Sequence, residues 1–161
     1  MVTQNDVVAV VSAALTERYP DSTVYTNLVP SKFQRPSFLV ETTDIALMAS
    51  TVSTVTLQLT VRVVCFVAVD EYHNSQLEVL NVRQLKVLGI FGPLYLKVGD
   101  RALKVQKLTG SPGGRDWIDV TAVLAWDVGI AELAEIVEPP MGIMEEINLN
   151  MEEYNHGNAE H

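Results

Sequence analysis

The chain has 161 residues, 48% of them hydrophobic and 19% charged, with 20 acids against 11 bases and a net charge of −9. That is enough for one well-packed domain and short for two. It contains no run of about eighteen uncharged apolar residues to cross a membrane, and no basic n-region opens it as a signal peptide.

The charge is unevenly placed. Residues 132–161 hold eight glutamates and no Lys or Arg, which leaves twelve acids against eleven bases in the rest. The body is nearly neutral, and without a basic stripe duplex DNA is not an expected partner. The single cysteine, Cys65, reads as a small buried hydrophobe in a reduced protein.

Thr3-Gln-Asn-Asp6 resembles a capping box with Asp at its third position, and Val7, Val8, Val11, Ala14 and Leu15 follow at helical spacing. That helix should stop near Tyr19, because Pro20 disfavours helical geometry in the residue before it. A short strand is expected around Thr23–Leu28. A loop, VPSKFQRP, then leads to a strand from about Ser37 to Leu47, with residues Met48–Thr51 as a tip.

The chain is organised around Val52–Val69. Every odd position from Val55 to Val69 is apolar, and the even positions begin polar (Thr54, Thr56, Gln58, Thr60, Arg62) before turning apolar. Strict period-two alternation marks a strand with one wet face, and apolar residues on both faces mark a part covered on both sides. At ~3.3 Å per residue this stretch would span roughly 50–60 Å, so part of it should project as one arm of a long hairpin.

A second capping box, Ser75-Gln-Leu-Glu78, opens a helix whose packed face is expected to hold Leu77, Leu80, Gln84 and Leu88, widened by Val82 and Leu85. Gly89 and Gly92-Pro93 end it. Leu94–Val98 and Ala102–Leu108 alternate as strands around a Gly99-Asp100-Arg101 turn, and Thr109–Arg115 reads as a loop. Asp116–Ile130 is a final long strand with Ile118, Val120, Ala122, Leu124, Trp126 and Val128 on one parity. Trp117 falls on the other parity and is a candidate interface anchor.

The predicted fold is therefore α+β: a mostly antiparallel sheet, two helices on one face, a long projecting β-hairpin and an extended C-terminal tail. Residues 1–131 form one domain and 132–161 an acidic extension that acts as an interaction arm with a frayed end. Pro139-Pro140 breaks the chain, after which Met141, Ile143, Met144, Ile147, Leu149 and Met151 are spaced among acids and asparagines. A solvated tail has no physical reason to keep six large apolar residues in eleven positions. Ordering against the chain's own sheet edge or a neighbouring subunit is the expectation.

No catalytic constellation emerges. Gly110-Ser-Pro-Gly-Gly-Arg115 lacks the Gly-Lys-Ser/Thr of a phosphate loop, Ser111 is in no nucleophile elbow, and His73 has no nucleophile to serve. One cysteine and scattered histidines give no zinc spacing. The expectation is no enzyme, no metal and no cofactor.

The layout resembles a known family. A helix ends at Tyr19-Pro20-Asp21, a short strand carries Val24-Tyr25, and a Phe-x-Arg-Pro-Ser-Phe element follows (Phe33, Arg35, Pro36, Ser37, Phe38). A long valine-rich strand, a capped helix, a closing Trp126-Asp127 strand and a Met-Glu-Glu-Ile-Asn-Leu-Asn tail complete it. Over roughly Met1–Asn150 this is similar to the tail terminator (tail completion) proteins of phages and prophages of Gram-positive bacteria and of phage-tail-like bacteriocins.

The resemblance implies a structural virion protein assembled in the bacterial cytoplasm. It implies a ring, typically six-fold, that caps the tail tube and ends tube or sheath polymerisation. The implied partners are other copies of the chain, the tail tube protein, and a sheath protein or head connector at a collar; nucleic acid recognition and membrane binding are not implied. The hairpin tip (Ile45, Leu47, Met48, Val52), Trp117 and the tail residues Met141–Met151 are the candidate subunit contacts. The alternatives are a head–tail connector, a tail tube subunit, or a small ligand-binding domain with a deep polar pocket.

Overall fold

A computed structural model of the chain describes residues 1–72, 74–111 and 116–138. Helix α1 (Gln4–Arg18) leads into β1 (Thr23–Thr26), β2 (Ser37–Ala49) and β3 (Thr54–Phe66). Helix α2 (Leu77–Leu88) connects to β4 (Tyr95–Val98), β5 (Arg101–Ser111) and β6 (Trp117–Gly129), and a short α3 (Ile130–Ala134) follows. His73, Pro112–Arg115 of the glycine-rich loop, and the tail candidates Met141, Ile143, Met144, Ile147, Leu149 and Met151 lie outside the described residues.

The six strands form one sheet in the order β1-β2-β3-β6-β5-β4. Every pairing is antiparallel except β1 with β2. The alternation in β3 does what the sequence pattern demands: Leu57, Leu59, Val61, Val63 and Cys65 point into the core, while Thr56, Gln58, Thr60 and Arg62 remain partly accessible. β6 answers with Ile118, Val120, Ala122, Leu124, Trp126 and Val128, all buried. β3 ends at Phe66 rather than Val69; Val67 and Ala68 leave the ladder, and Val69 bridges to Ser75. The hairpin arm is therefore thirteen residues long. It is also paired on both sides, because β6 accompanies β3 from Trp117–Phe66 up to Gly129–Thr54.

α1 and α2 pack on the same apolar face. The Thr3–Asp6 capping box is formed: the Thr3 backbone N–H donates to the Asp6 carboxylate at 2.8 Å and the Asp6 N–H to Thr3 Oγ1 at 3.3 Å. The first of these bonds, more than any charge, holds the Asp6 carboxyl below its ordinary value. Val7, Val8, Val11 and Leu15 are buried, so packing compensates for the low helix propensity of valine. At the helix C-terminus, Tyr19 stacks on Phe38 at 5.2 Å and Arg83 of α2 lies 4.6 Å above the Tyr19 ring. Burial pushes the Cys65 thiol up to about 12, which makes it a hydrophobe rather than a nucleophile.

α2 departs from the sequence reading twice. Its N-cap is Gln76 with no side-chain cap, because Ser75 Oγ donates to the Asp116 carbonyl and accepts from Arg35. Its buried residues are Leu80 and Val87, whereas Leu77, Val82 and Leu85 are exposed. Gln84 fixes the rotation: its Nε2 donates to the carbonyls of Ser111 and Asp119 at 3.0 and 2.9 Å. Gly110 makes room for it, since a Cβ there would sit 2.8 Å from that nitrogen.

Leu59 lies fully buried at the centre of this arrangement. Leu59→Ala should lower unfolding stability by ~2–5 kcal/mol, read as a lower urea midpoint at unchanged slope. A loss below ~1 kcal/mol would mean that the β3 face is not the packed core.

Candidate subunit interface

The candidate residues of the hairpin do not share one face, and the reason is a bulge. Before it, Phe38 and Val40 pair opposite Cys65 and Val63 and point inward. The ladder slips between Thr42 and Asp44, and after it Ile45 and Leu47 stand opposite Leu59 and Leu57. One extra residue thus turns the odd positions of β2 onto the apolar face. Met48, opposite Thr56, falls on the other face, and Val52 sits fully exposed in the connecting turn.

Ile45 and Leu47 extend beyond the cover that α1 and α2 provide. They are 47% and 57% exposed, although their cross-strand neighbours Leu59 and Leu57 are buried. The result is an apolar groove of about 590 Å³ with Ile45, Leu47, Leu57 and Trp126 at its base. Its sides come from the N-terminus (Met1–Asn5) and from Leu133 and Ile136 at the end of the described chain.

Polar contacts hold those sides in position. Glu132 of α3 receives the Met1 amine at 3.6 Å and Arg101 at 3.2 Å, and Arg101 also donates to the Asp127 carbonyl at 2.7 Å. Exposed pairs of this kind add little stability. They do fix where the N-terminus and α3 stand relative to the sheet. The indole Nε1 of Trp126 is buried and finds no acceptor among the described residues.

The other face of the sheet carries a different pattern. Arg62 donates to Asp119 at 2.9 Å and to Glu41 at 3.1 Å, and Ser111 donates to the second Asp119 oxygen at 2.6 Å. Burial raises the Asp119 carboxyl, but the bonds from Ser111 and Arg62 outweigh it and hold the group below its ordinary value. Arg62, despite an opposing burial effect, is held above its own.

Trp117 belongs to this face. The Arg62 guanidinium lies 5.2 Å over its ring, and it is only half-buried. Beside it Phe33 packs on Phe66 at 4.7 Å, and Arg35 covers both rings while donating to the Val67 and Asp116 carbonyls. The Phe-x-Arg-Pro-Ser-Phe element thus ties a loop to the ends of β3 and β6. Trp117 stands twelve residues along β6 from Gly129, some ~40 Å from the hairpin turn at strand spacing. The structure brings Ile45 and Leu47 together, and separates Met48, Val52 and Trp117 from them.

Sequence reasoning missed Met1, Val2, Leu57, Trp126, Leu133 and Ile136 as partners of that pair. Leu133 and Ile136 sit three apart in AELAEIVE, a helical spacing hidden by the surrounding glutamates. Among the described residues no group of three or more His, Cys, Asp or Glu side chains is placed to hold a metal ion, and no helix is long and apolar enough to cross a membrane.

A family model described as phage tail terminator protein matches residues 6–111. No curated protein matches the chain. One solved structure, which bears no functional name, is similar over 86% of this chain and 99% of its own, at 16% identity and a TM-score of 0.43. A likeness at that level does not bear on function.

The Asp119 network makes stability depend on pH with a defined sign. A carboxyl held below its unfolded value of about 4 stabilises the fold fully above about pH 5 and progressively less as pH falls through the folded value. Asp119→Asn should therefore cost ~1–3 kcal/mol at pH 7 and much less at pH 3. Urea unfolding of both proteins at the two pH values checks this; an equal loss at both would remove the ion pair from the account.

Proposed function

The chain belongs to the phage tail terminator family, and from that premise we propose that it closes into a ring, typically six-fold, that caps the tail tube and ends its polymerisation. Its opposite surface then meets a head connector, a sheath ring or a collar. The matched span, from α1 through β5, takes in most of the helix-covered sheet and is the observation that carries this reading.

The geometry supports it in physical terms. A terminator needs one surface complementary to a neighbouring subunit and another that refuses a further ring. The groove at Ile45 and Leu47 is apolar and open, with the exposed Ile136 and Val137 close to it in sequence or space. Such a cluster in a chain of this size is the mark of a contact with another protein. The opposite face carries the Arg62–Asp119–Glu41 network, in which the three charges satisfy one another. Met48, Val52 and Trp117, on other surfaces, remain candidate contacts with tube, sheath or connector subunits, and the tail residues Met141–Met151 with a neighbouring copy. The net charge of −9, concentrated in residues 132–161, favours protein partners over nucleic acid.

Light scattering on a sizing column with negative-stain imaging tests the ring. Rings of roughly six subunits, or monomers that assemble on added tail tubes and occupy only their ends, are expected. Leu47→Asp, at a half-exposed position, should leave the fold intact and lower assembly by at least about tenfold. Open-ended tubes would make the chain a tube subunit. A strict monomer that ignores tube ends would overturn the proposal.

A further inference from the structure

The outer edge of β2 is covered for only a third of its length. β1 pairs with Ser37–Val40, and past the bulge no described strand lies beside Asp44–Ala49. An unpaired edge presents a row of backbone donors and acceptors ready to take another strand. This edge borders the apolar groove, because Ile45 and Leu47 belong to both. At the base of the same groove, Trp126 Nε1 is buried without an acceptor among the described residues.

The chain itself contains a segment with the matching pattern. Twenty-three residues follow Glu138, and within them Ile147-Asn148-Leu149-Asn150-Met151-Glu152 alternates strictly between apolar and polar. Period two is the signature of a strand with one apolar face. Laid along Asp44–Ala49, it would complete a ladder, send Ile147, Leu149 and Met151 into the groove and leave the asparagines and Glu152 in water.

We propose that residues 147–151 of a neighbouring copy add as an edge strand to Asp44–Ala49, so that each subunit's C-terminal arm locks the next subunit of the ring. The inference rests on the ring reading above. The neighbour, rather than the same chain, is the donor because of how the arm departs. Ile136 borders the groove, but Val137 is 85% exposed, and Pro139-Pro140 follow at once. Proline at position 139 disfavours helical geometry at Glu138, so no helical turn brings the chain back toward the groove at that point. The nine residues from Glu138 to Ile147 reach up to about 30 Å, enough to cross to an adjoining subunit.

Cysteine cross-linking in the full-length protein decides the matter, with Cys65 buried and out of reach of the reagent. A tagged Leu47→Cys chain and an untagged Leu149→Cys chain are co-assembled and oxidised with copper phenanthroline. A disulfide-linked heterodimer, migrating between the two homodimer positions, is expected. The double variant should give a ladder of linked chains. Normal rings on imaging with no heterodimer would overturn the arm exchange while leaving the ring intact. A fast-migrating, internally linked monomer from the double variant would place the strand on its own subunit and overturn it equally. Absence of rings in the unmodified protein would overturn the ring reading itself, and sizing reports that separately.

Discussion

β3 is held along its whole length between β2 and β6, and these strands are thirteen residues each. At ~3.3 Å per residue they run for roughly 43 Å, whereas α1 and α2 at ~1.5 Å per residue cover roughly 22 and 18 Å. The sheet is longer than its cover. Where the helices lie, the apolar face is sealed by Val7, Val11, Leu15, Leu80 and Val87. Where they stop, the same face continues through Leu57 and Trp126 to Ile45 and Leu47, with Met1–Asn5, Leu133 and Ile136 beside it among the described residues. At that uncovered end β2, β3 and β6 remain paired with one another. On the ring reading, this apolar, partly open sheet end is where another polypeptide would sit.

The two faces of the sheet differ in what fills them. The inner face is a continuous aliphatic core that holds the helices in place. The outer face is polar but self-satisfied: Arg62 is shared by Asp119 and Glu41, and Ser111 completes Asp119. A buried-edge ion pair of this sort does not add much net stability compared with a hydrophobic replacement, yet removing one member leaves the others unpaired.

Much of this was legible in the sequence because β3 and β6 state their structure in strict alternation, and Thr3–Asp6 states the start of α1. What was not legible has identifiable causes. The capping-box pattern at Ser75 was outcompeted, because that hydroxyl serves Arg35 and the Asp116 carbonyl, forty-one residues away in sequence. The packed face of α2 was misread because Leu77, Val82 and Leu85 look like core residues, while a tertiary pair of hydrogen bonds from Gln84 sets the rotation. The bulge at Thr42–Asp44 carries no glycine or proline to announce it, so the switch of Ile45 and Leu47 to the inner face could not be read from parity alone. α3 was hidden in a stretch that reads as acidic tail.

On the ring reading, the uncovered end of the sheet is where this chain meets its neighbours. Hydrogen–deuterium exchange, compared between the dilute protein and the protein assembled on tail tubes, tests it most directly. Within Asp44–Ala49, the amides on the outer edge, those not bonded to β3, should exchange freely in the dilute state and become protected on assembly. Unchanged exchange in Asp44–Ala49, with new protection confined to the exposed side of α2 or to the turn at Val52, would contradict the account.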